Sequence, residues 1–373
     1  MDLARTLCAY WVPSVNVRSA YAGGAFKEVC VGKRVTLADV ARRAGLSPSA
    51  ASMILNGRPD TRLSADAHER VHAAASELGY RPNVAARALR TDTTHTIGFV
   101  SDHVATTRFA SGLIKGSLEA AEAAGHVVLV AETGGEPERE VEAVSALLDR
   151  QVDGIIFASM RARETFVPPL PSRTRIVMLN GTNDVHTCSV LPDEETGGRR
   201  AVELLAHAGI TEGIVLLGYD AEAERDVFRS ETVASRIRGM SDALRERGMT
   251  LARSESIWLW EPASGHEVIS RLLAEGERPK AIICLNDRLA FGASQALTEA
   301  GLSIPDDVSL VSFDNDELAA YLRPGLTTIG LPHEEMGRRA VELLLEPDGP
   351  PPGIHLVEMP VVVRASIRPA TPG

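Results

Sequence analysis

Apolar positions along the chain fall into two regimes. Between residues 35 and 78 they recur every third or fourth residue in short bursts, the spacing of small amphipathic helices. Thr36, followed three positions later by Asp39, makes a near capping box ahead of Leu37, Val40, Ala41 and Ala44. Gly45 supplies the left-handed residue that stops this helix. Ser47 caps a second helix with Pro48 in its first position, running to about Asn56. A third begins at Ser64, presents Ala67, Val71, Ala74, Ala75 and Leu78, and ends at Gly79. Only Gly45, Leu46 and Ser47 separate the first two, which is the interval of a helix-turn-helix. Pro82 then opens a segment over residues 83–90 with good helix propensity. At about eight residues it is too short to hold alone and should be helical only when something supports it.

After residue 95 the pattern changes to short apolar runs, at 96–100, 127–131, 154–158, 176–179, 214–217, 281–285 and 308–313. Amphipathic stretches lie between them, at 113–124, 139–150, 199–208, 235–247, 266–274 and 288–300. Such alternation predicts parallel sheets of βαβ units. The strands are too many for one compact sheet, so two lobes are expected, with ligand between them beyond the carboxyl ends of the strands. The fold class is α/β: a three-helix head, a hinge helix, and a two-lobed core. The expected division is a disordered extension over 1–33, a head over 34–80, hinge and linker over 81–94, and a core over 95–373.

Charge sharpens this division. The net charge is −11, yet residues 33–94 carry ten Lys/Arg against six Asp/Glu, and everything beyond carries −16. A small basic module joined to a large acidic one is the balance of a DNA-binding head on a body with another task. The four cysteines, Cys8, Cys30, Cys188 and Cys284, show no CxxC or Cys/His spacing. That argues against a disulfide framework or zinc site and fits a reducing cytoplasm. No apolar run approaches the roughly 18 residues of a membrane span. The first strand–helix connection lacks G-x-G-x-x-G, and neither a Walker A motif nor a G-x-S-x-G elbow occurs, so an enzyme is not expected. The apolar stretch of residues 3–12 lacks a convincing signal-peptide cleavage site, which disfavours a secreted sugar-binding protein.

The run Val35-Thr-Leu-Ala-Asp-Val-Ala-Arg-Arg-Ala-Gly-Leu-Ser47, then Ser52, Leu55-Asn56, Leu78-Gly-Tyr-Arg-Pro-Asn83, Ala86-Arg87 and Leu89, resembles the LacI/GalR transcription regulators. The likeness continues through Val152-Asp-Gly-Ile-Ile156, Leu285-Asn-Asp-Arg288, Gly301, Ile304-Pro305, Phe313-Asp314 and Leu326-Thr-Thr328, covering about residues 34–368. It implies a homodimer on near-palindromic double-stranded operator DNA, controlled by a small effector in a core shaped like periplasmic sugar-binding proteins. A repressor answering to a carbohydrate is the reading; a corepressor-dependent, purine-type regulator is the alternative. Neither a cofactor nor a metal is implied. The chain shows no terminal leucine heptads, so a dimer without further assembly is expected.

The resemblance assigns DNA contacts to Thr36, Ser47, Pro48, Ser49, Ala50, Ser52, Met53, Asn56, Tyr80, Asn83, Arg87 and Leu89, with Leu89 as a wedge between base pairs in the minor groove. In the recognition helix the family's Thr-Val-Ser-Arg is replaced by Ala50-Ala51-Ser52-Met53. The arginine fork that could read guanine is therefore lost, and Ala50, Ala51 and Met53 fit packing against the first helix equally. Effector contacts carry over to Phe109, Asn180, Arg236, Trp260, Asn286 and Asp314. Each has a structural alternative: Asp314 as a helix cap, Arg236 on a solvated face beside Arg238, Trp260 in the core. Polar and aromatic groups at the ends of several strands together suit a polyol pocket.

Overall fold

The computed structural model describes residues 35–56, 63–80, 93–107, 110–218 and 230–369. The chain divides into two compact units, residues 1–84 and 85–373. In the first, helices α1 (Leu37–Ala44), α2 (Pro48–Leu55) and α3 (Ala65–Leu78) close over Val40, Ala41, Ala51, Ile54, Val71 and Ala74. Their ends follow local chemistry. Thr36 and Asp39 form a reciprocal capping box, Ser47 and Ser64 accept from the backbone of Ala50 and Ala67, and Gly45 and Gly79 end α1 and α3 at φ 68° and 64°. The Thr36 hydroxyl and N–H both donate to Asp39 and hold its carboxyl down at about 2.

The second unit holds two six-stranded sheets. Its first lobe runs β1 (Thr96–Ser101), α4 (Ser111–Ala123), β2 (Val127–Glu132), α5 (Pro137–Asp149), β3 (Gly154–Glu164), β4 (Ile176–Thr182) and β5 (Cys188–Pro192). The chain then enters the second lobe through α6 (Glu194–His207), β6 (Ile214–Leu217), α7 (Glu231–Glu246), β7 (Leu251–Glu255), α8 (Pro262–Ala274) and β8 (Ala281–Cys284). That lobe continues through α9 (Asp287–Glu299), β9 (Ser309–Asp314), α10 (Glu317–Tyr321) and β10 (Thr327–Gly330). It returns to the first lobe as α11 (His333–Leu344) and β11 (Gly353–Val357), and ends in the second at β12 (Val361–Val362). The sheets are ordered β11-β5-β4-β3-β1-β2 and β12-β10-β9-β8-β6-β7, and among the described residues only β12 runs antiparallel to its neighbour. Three crossings join the lobes, after β5, after β10 and after β11.

Neighbouring helices approach closely through glycines. A Cβ on Gly239 of α7 would lie 2.0 Å from the carbonyl oxygen of Glu195, and one on Gly198 of α6 would lie 2.1 Å from that of Arg236. The pair α4–α11 uses Gly116 and Gly337 in the same reciprocal way. Backbone therefore meets backbone where any side chain would hold the helices apart.

The seven expected strands are all present, and five more complete the sheets. β5, β7, β10, β11 and β12 escape the apolar-run criterion because polar residues, Gly or Pro interrupt the first four and β12 is only two residues long. β7 alternates half-buried and exposed positions, and β10 buries Thr327 and Thr328. Helices α10 and α11 were likewise not expected. β3 runs on to Glu164, beyond the expected end at Ala158, and resumes pairing with β4 at Arg163 and Glu164 after a register shift.

Candidate functional site

On the head, Ser49, Pro48 and Asn56 are exposed, and Ser52 and Met53 half-buried. The Asn56 Nδ2 donates to the Ser52 carbonyl, and Tyr80 packs against the three-helix core. Ala50 is 7% exposed, so its methyl leaves little side-chain surface for DNA. Thr36 and Ser47 spend their hydroxyls on helix caps. Asn83, Arg87 and Leu89 lie outside the described residues, as does Phe109 of the core.

In the second lobe, α7 carries Arg236 inward, and the residue is only 2% exposed. Its Nε donates to Oε2 of Glu194 at 2.6 Å, Nη2 to Oε1 at 2.8 Å, and Nη1 to the Leu285 carbonyl at 2.6 Å. The guanidinium lies 4.1 Å from the centroid of the Phe313 ring. The solvated-face alternative fails for Arg236, whereas Arg238 is exposed. Glu194 was missed because, in the run Asp193-Glu194-Glu195, an acidic residue at a helix start reads as capping.

Asp314 closes β9 with φ at 105°, a conformation disfavoured for a residue with a side chain. Burial pushes its carboxyl well above the usual range; Arg236 opposes this, while Asp287 and Glu194 reinforce it. Its side chain does not cap the next helix: Asp316 does, accepting from the Leu318 N–H. No donor among the described residues hydrogen-bonds the Asp314 carboxylate. Neighbouring Asp287, raised to about 6 by burial, is by contrast held by Ser312, Thr328 and the Asp316 N–H.

The remaining positions are more committed to structure than their types suggested. Asn286 caps α9 through Oδ1, accepting from Leu289 at 2.9 Å, while Nδ2 reaches the Trp260 carbonyl. The Trp260 indole donates to the carbonyls of Gly218 and Ile257 and packs on the second-lobe core. Asn180 in the first lobe, at φ 52°, donates to the carbonyls of Ser159 and Met160. Arg236, Asp314, Asn286 and Trp260 thus gather in one lobe, with Asn180 at the end of β4 in the other. A cleft of about 940 Å³ borders the set at Asp314, and its lining includes Asp316, Glu317, Glu334, Glu335 and Glu358. Among the described residues no group of three or more His, Cys, Asp or Glu side chains could hold a metal ion. No described helix is long and apolar enough to cross a membrane.

Residues 36–83 match the family model of bacterial regulatory proteins, lacI family, and residues 202–367 that of the periplasmic binding protein-like domain. The chain is 31% identical over 319 residues to the HTH-type transcriptional repressor PurR of Vibrio vulnificus, covering 83% of this chain and 91% of that repressor. This chain belongs to the LacI family. It is a DNA-binding transcriptional repressor with the helix-turn-helix head and two-sheet core of that family. The Lac repressor dimer bound to operator and the anti-inducer ONPF is similar at a TM-score of 0.69 and 27% identity, over 90% of this chain and 99% of that one. The transcriptional regulator CelR in complex with cellobiose, at 23% identity and a TM-score of 0.57, shares the fold over 89% of this chain and all of its own.

Proposed function

We propose that this LacI-family repressor is released from its operator by a neutral polyol of the carbohydrate type, bound between the lobes. The observation that carries this reading is Asp314. It is a half-buried acid at the end of a parallel strand, bordering the cleft, with no hydrogen-bond donor to its side chain among the described residues. An incoming hydroxyl supplies that donor. Six acidic side chains against Arg338 and His333 line the cleft, an excess that disfavours a phosphate or an acidic sugar. Arg236 orients Asp314 electrostatically while Glu194 holds the guanidinium, and Trp260 offers an apolar face beside them. Asn180, Asn286 and Phe109 complete the proposed lining.

A second reading, a purine-type corepressor, is favoured by the likeness to the PurR repressors. Thermal-shift titration of the full chain against neutral sugars, sugar phosphates and purine bases separates the two. A saturating ligand at a hundredfold excess over its Kd stabilises by about 2.7 kcal/mol. A shift by purine bases alone overturns the polyol reading.

For DNA, Ser49, Ser52 and Met53 on α2 are proposed to face the major groove, with Pro48, Asn56 and Tyr80 flanking them. Arg87 and Leu89 are assigned to the minor groove. A homodimer in the cytoplasm is proposed, and the first lobe offers apolar surface for a second copy. Edge strand β2 exposes Val127 and Val130, and α4 exposes Leu118. Sedimentation at micromolar concentration tests this, and a monomer overturns it.

A further inference from the structure

The first lobe carries a second charged constellation, away from Arg236 and Asp314. In its sheet, β1 lies between β2 and β3, so the strand order reverses there. The crevice beyond the carboxyl ends of the strands at such a reversal is where open parallel sheets take ligands. Three charged side chains converge on it: Asp102 directly after β1, Arg163 on the far extension of β3, and Glu140 in the opening turns of α5. Asp102, 6% exposed, is fixed in place. Its Oδ1 accepts from the N–H groups of His103 and Met160 at 2.6 and 2.8 Å, and its Oδ2 from Nη2 of Arg163 at 2.9 Å. Met160 ties this cluster to Asn180, proposed above as effector lining, since its carbonyl accepts from Asn180 Nδ2 at 3.3 Å. Gly135 lets the guanidinium lie against the loop after β2, for a Cβ there would stand 3.2 Å from Nη2.

Two polar atoms in this cluster are shut from solvent and have no partner among the described residues: Oε2 of Glu140 and Nε of Arg163. Glu140 is only 5% exposed. One atom is an acceptor when ionised and the other is always a donor. Leaving either bare costs about 1–3 kcal/mol, more where charge is involved. We propose that Glu140 and Arg163 form the first-lobe subsite for the effector, taking a hydroxyl group that accepts from Nε of Arg163 and donates to the carboxylate of Glu140. This rests on the polyol reading and extends it to residues on the opposite wall.

The chemistry selects the group. A hydroxyl carries both a donor and an acceptor and is neutral, so it matches both orphan atoms at once. A phosphate or carboxylate satisfies Arg163 but meets Asp102 and Glu140. An ammonium satisfies Glu140 but leaves Nε bare and sits against a guanidinium.

Burial raises the Glu140 carboxyl to about 7; Arg163 of β3 lowers it, and Asp102 after β1 raises it. The acceptor form is therefore populated only as the pH rises through neutrality. Binding of a hydroxyl that donates to Glu140 weakens as pH falls below that point.

The test uses the full chain, with D-glucose, D-galactose, D-ribose and cellobiose as probes in thermal-shift and calorimetric titrations. The expected result is that a probe stabilises the wild type and that its Kd weakens roughly tenfold or more in Glu140→Gln and in Arg163→Met. Arg163→Lys recovers part of the loss. Wild-type affinity falls between about pH 8 and pH 6, and Glu140→Gln flattens the part of this fall centred near pH 7, leaving only what Asp314 and Asp287 contribute. The wild-type pH titration needs no substitution, so an unstable variant leaves the proposal open to refutation. A sugar that binds every variant with wild-type affinity and an unchanged pH profile overturns the subsite and leaves the polyol reading standing. If none of the sugars shifts the wild type, the polyol reading falls and the subsite falls with it.

Discussion

Arg236 and Glu194 meet in a two-point ion pair, 2.6 and 2.8 Å, with both side chains almost completely withdrawn from solvent. The pair joins α7 to the start of α6, directly after the chain has crossed from the first lobe. Removing one partner strands a buried charge, which typically costs 3–5 kcal/mol, about ten times an exposed pair. Glu194→Gln should therefore lower stability by about 3 kcal/mol in urea unfolding. Loss of less than about 1 kcal/mol would show that water reaches the guanidinium.

Asp314→Asn should remove effector response while operator binding persists, because the head and the cleft belong to separate units. The lost charge-assisted bond corresponds to about 1.5–3 kcal/mol in effector affinity. Anisotropy of labelled operator with and without effector reads both quantities. Wild-type response from this variant would show that Asp314 does not touch the ligand.

Gly239→Ala tests the close approach of α6 and α7. Its Cβ would lie 2.0 Å from a backbone oxygen that cannot swing away, so a loss of about 3 kcal/mol or more is expected. Gly248, at φ 64° with nothing within 4 Å of an added Cβ, is the control. Gly248→Ala should cost only the backbone strain, about 1–2 kcal/mol.

Glu140 gives stability a pH dependence of defined sign. Its carboxyl titrates at about 7 in the folded chain against an ordinary value of 4.5. The folded state thus holds the extra proton between those values. The stability this group contributes is fully present below about 4.5 and is lost as pH rises through 7. Glu140→Gln should gain on the wild type between about pH 5 and pH 8, by on the order of 2–3 kcal/mol. Parallel stability profiles for the two proteins would place the titration elsewhere.

Leu89→Ala should lower specific operator affinity while leaving much of the salt-dependent non-specific binding, which arises from Lys and Arg contacts to phosphates. Gel shifts on operator and on random DNA at two salt concentrations distinguish the two terms. Unchanged operator affinity would make residues 81–94 a passive linker.

Helix ends in the head could be read from the amino-acid order because their chemistry is local. Thr36 meets Asp39 three residues on, Ser47 and Ser64 cap at the same distance, and Gly45 needs only its own freedom at positive φ. The seven strands that carry an apolar run, edge strand β2 among them, were equally plain. β5, β7, β10, β11 and β12 were not, because they carry no sustained apolar run and only the neighbour each joins makes it a strand. Family likeness picked out Arg236 and Asp314, but residue order says nothing of Glu194, 42 positions away, which holds the guanidinium. Nor could it show that Asn286 spends its side chain on a cap, that Ala50 is largely covered, or that Asp102, Glu140 and Arg163 meet at one sheet reversal. Hydrogen bonds and burial between distant positions depend on how sheets and helices close in three dimensions. A local pattern can name the candidate side chains, and only the closed fold decides which of them retain a free donor or acceptor.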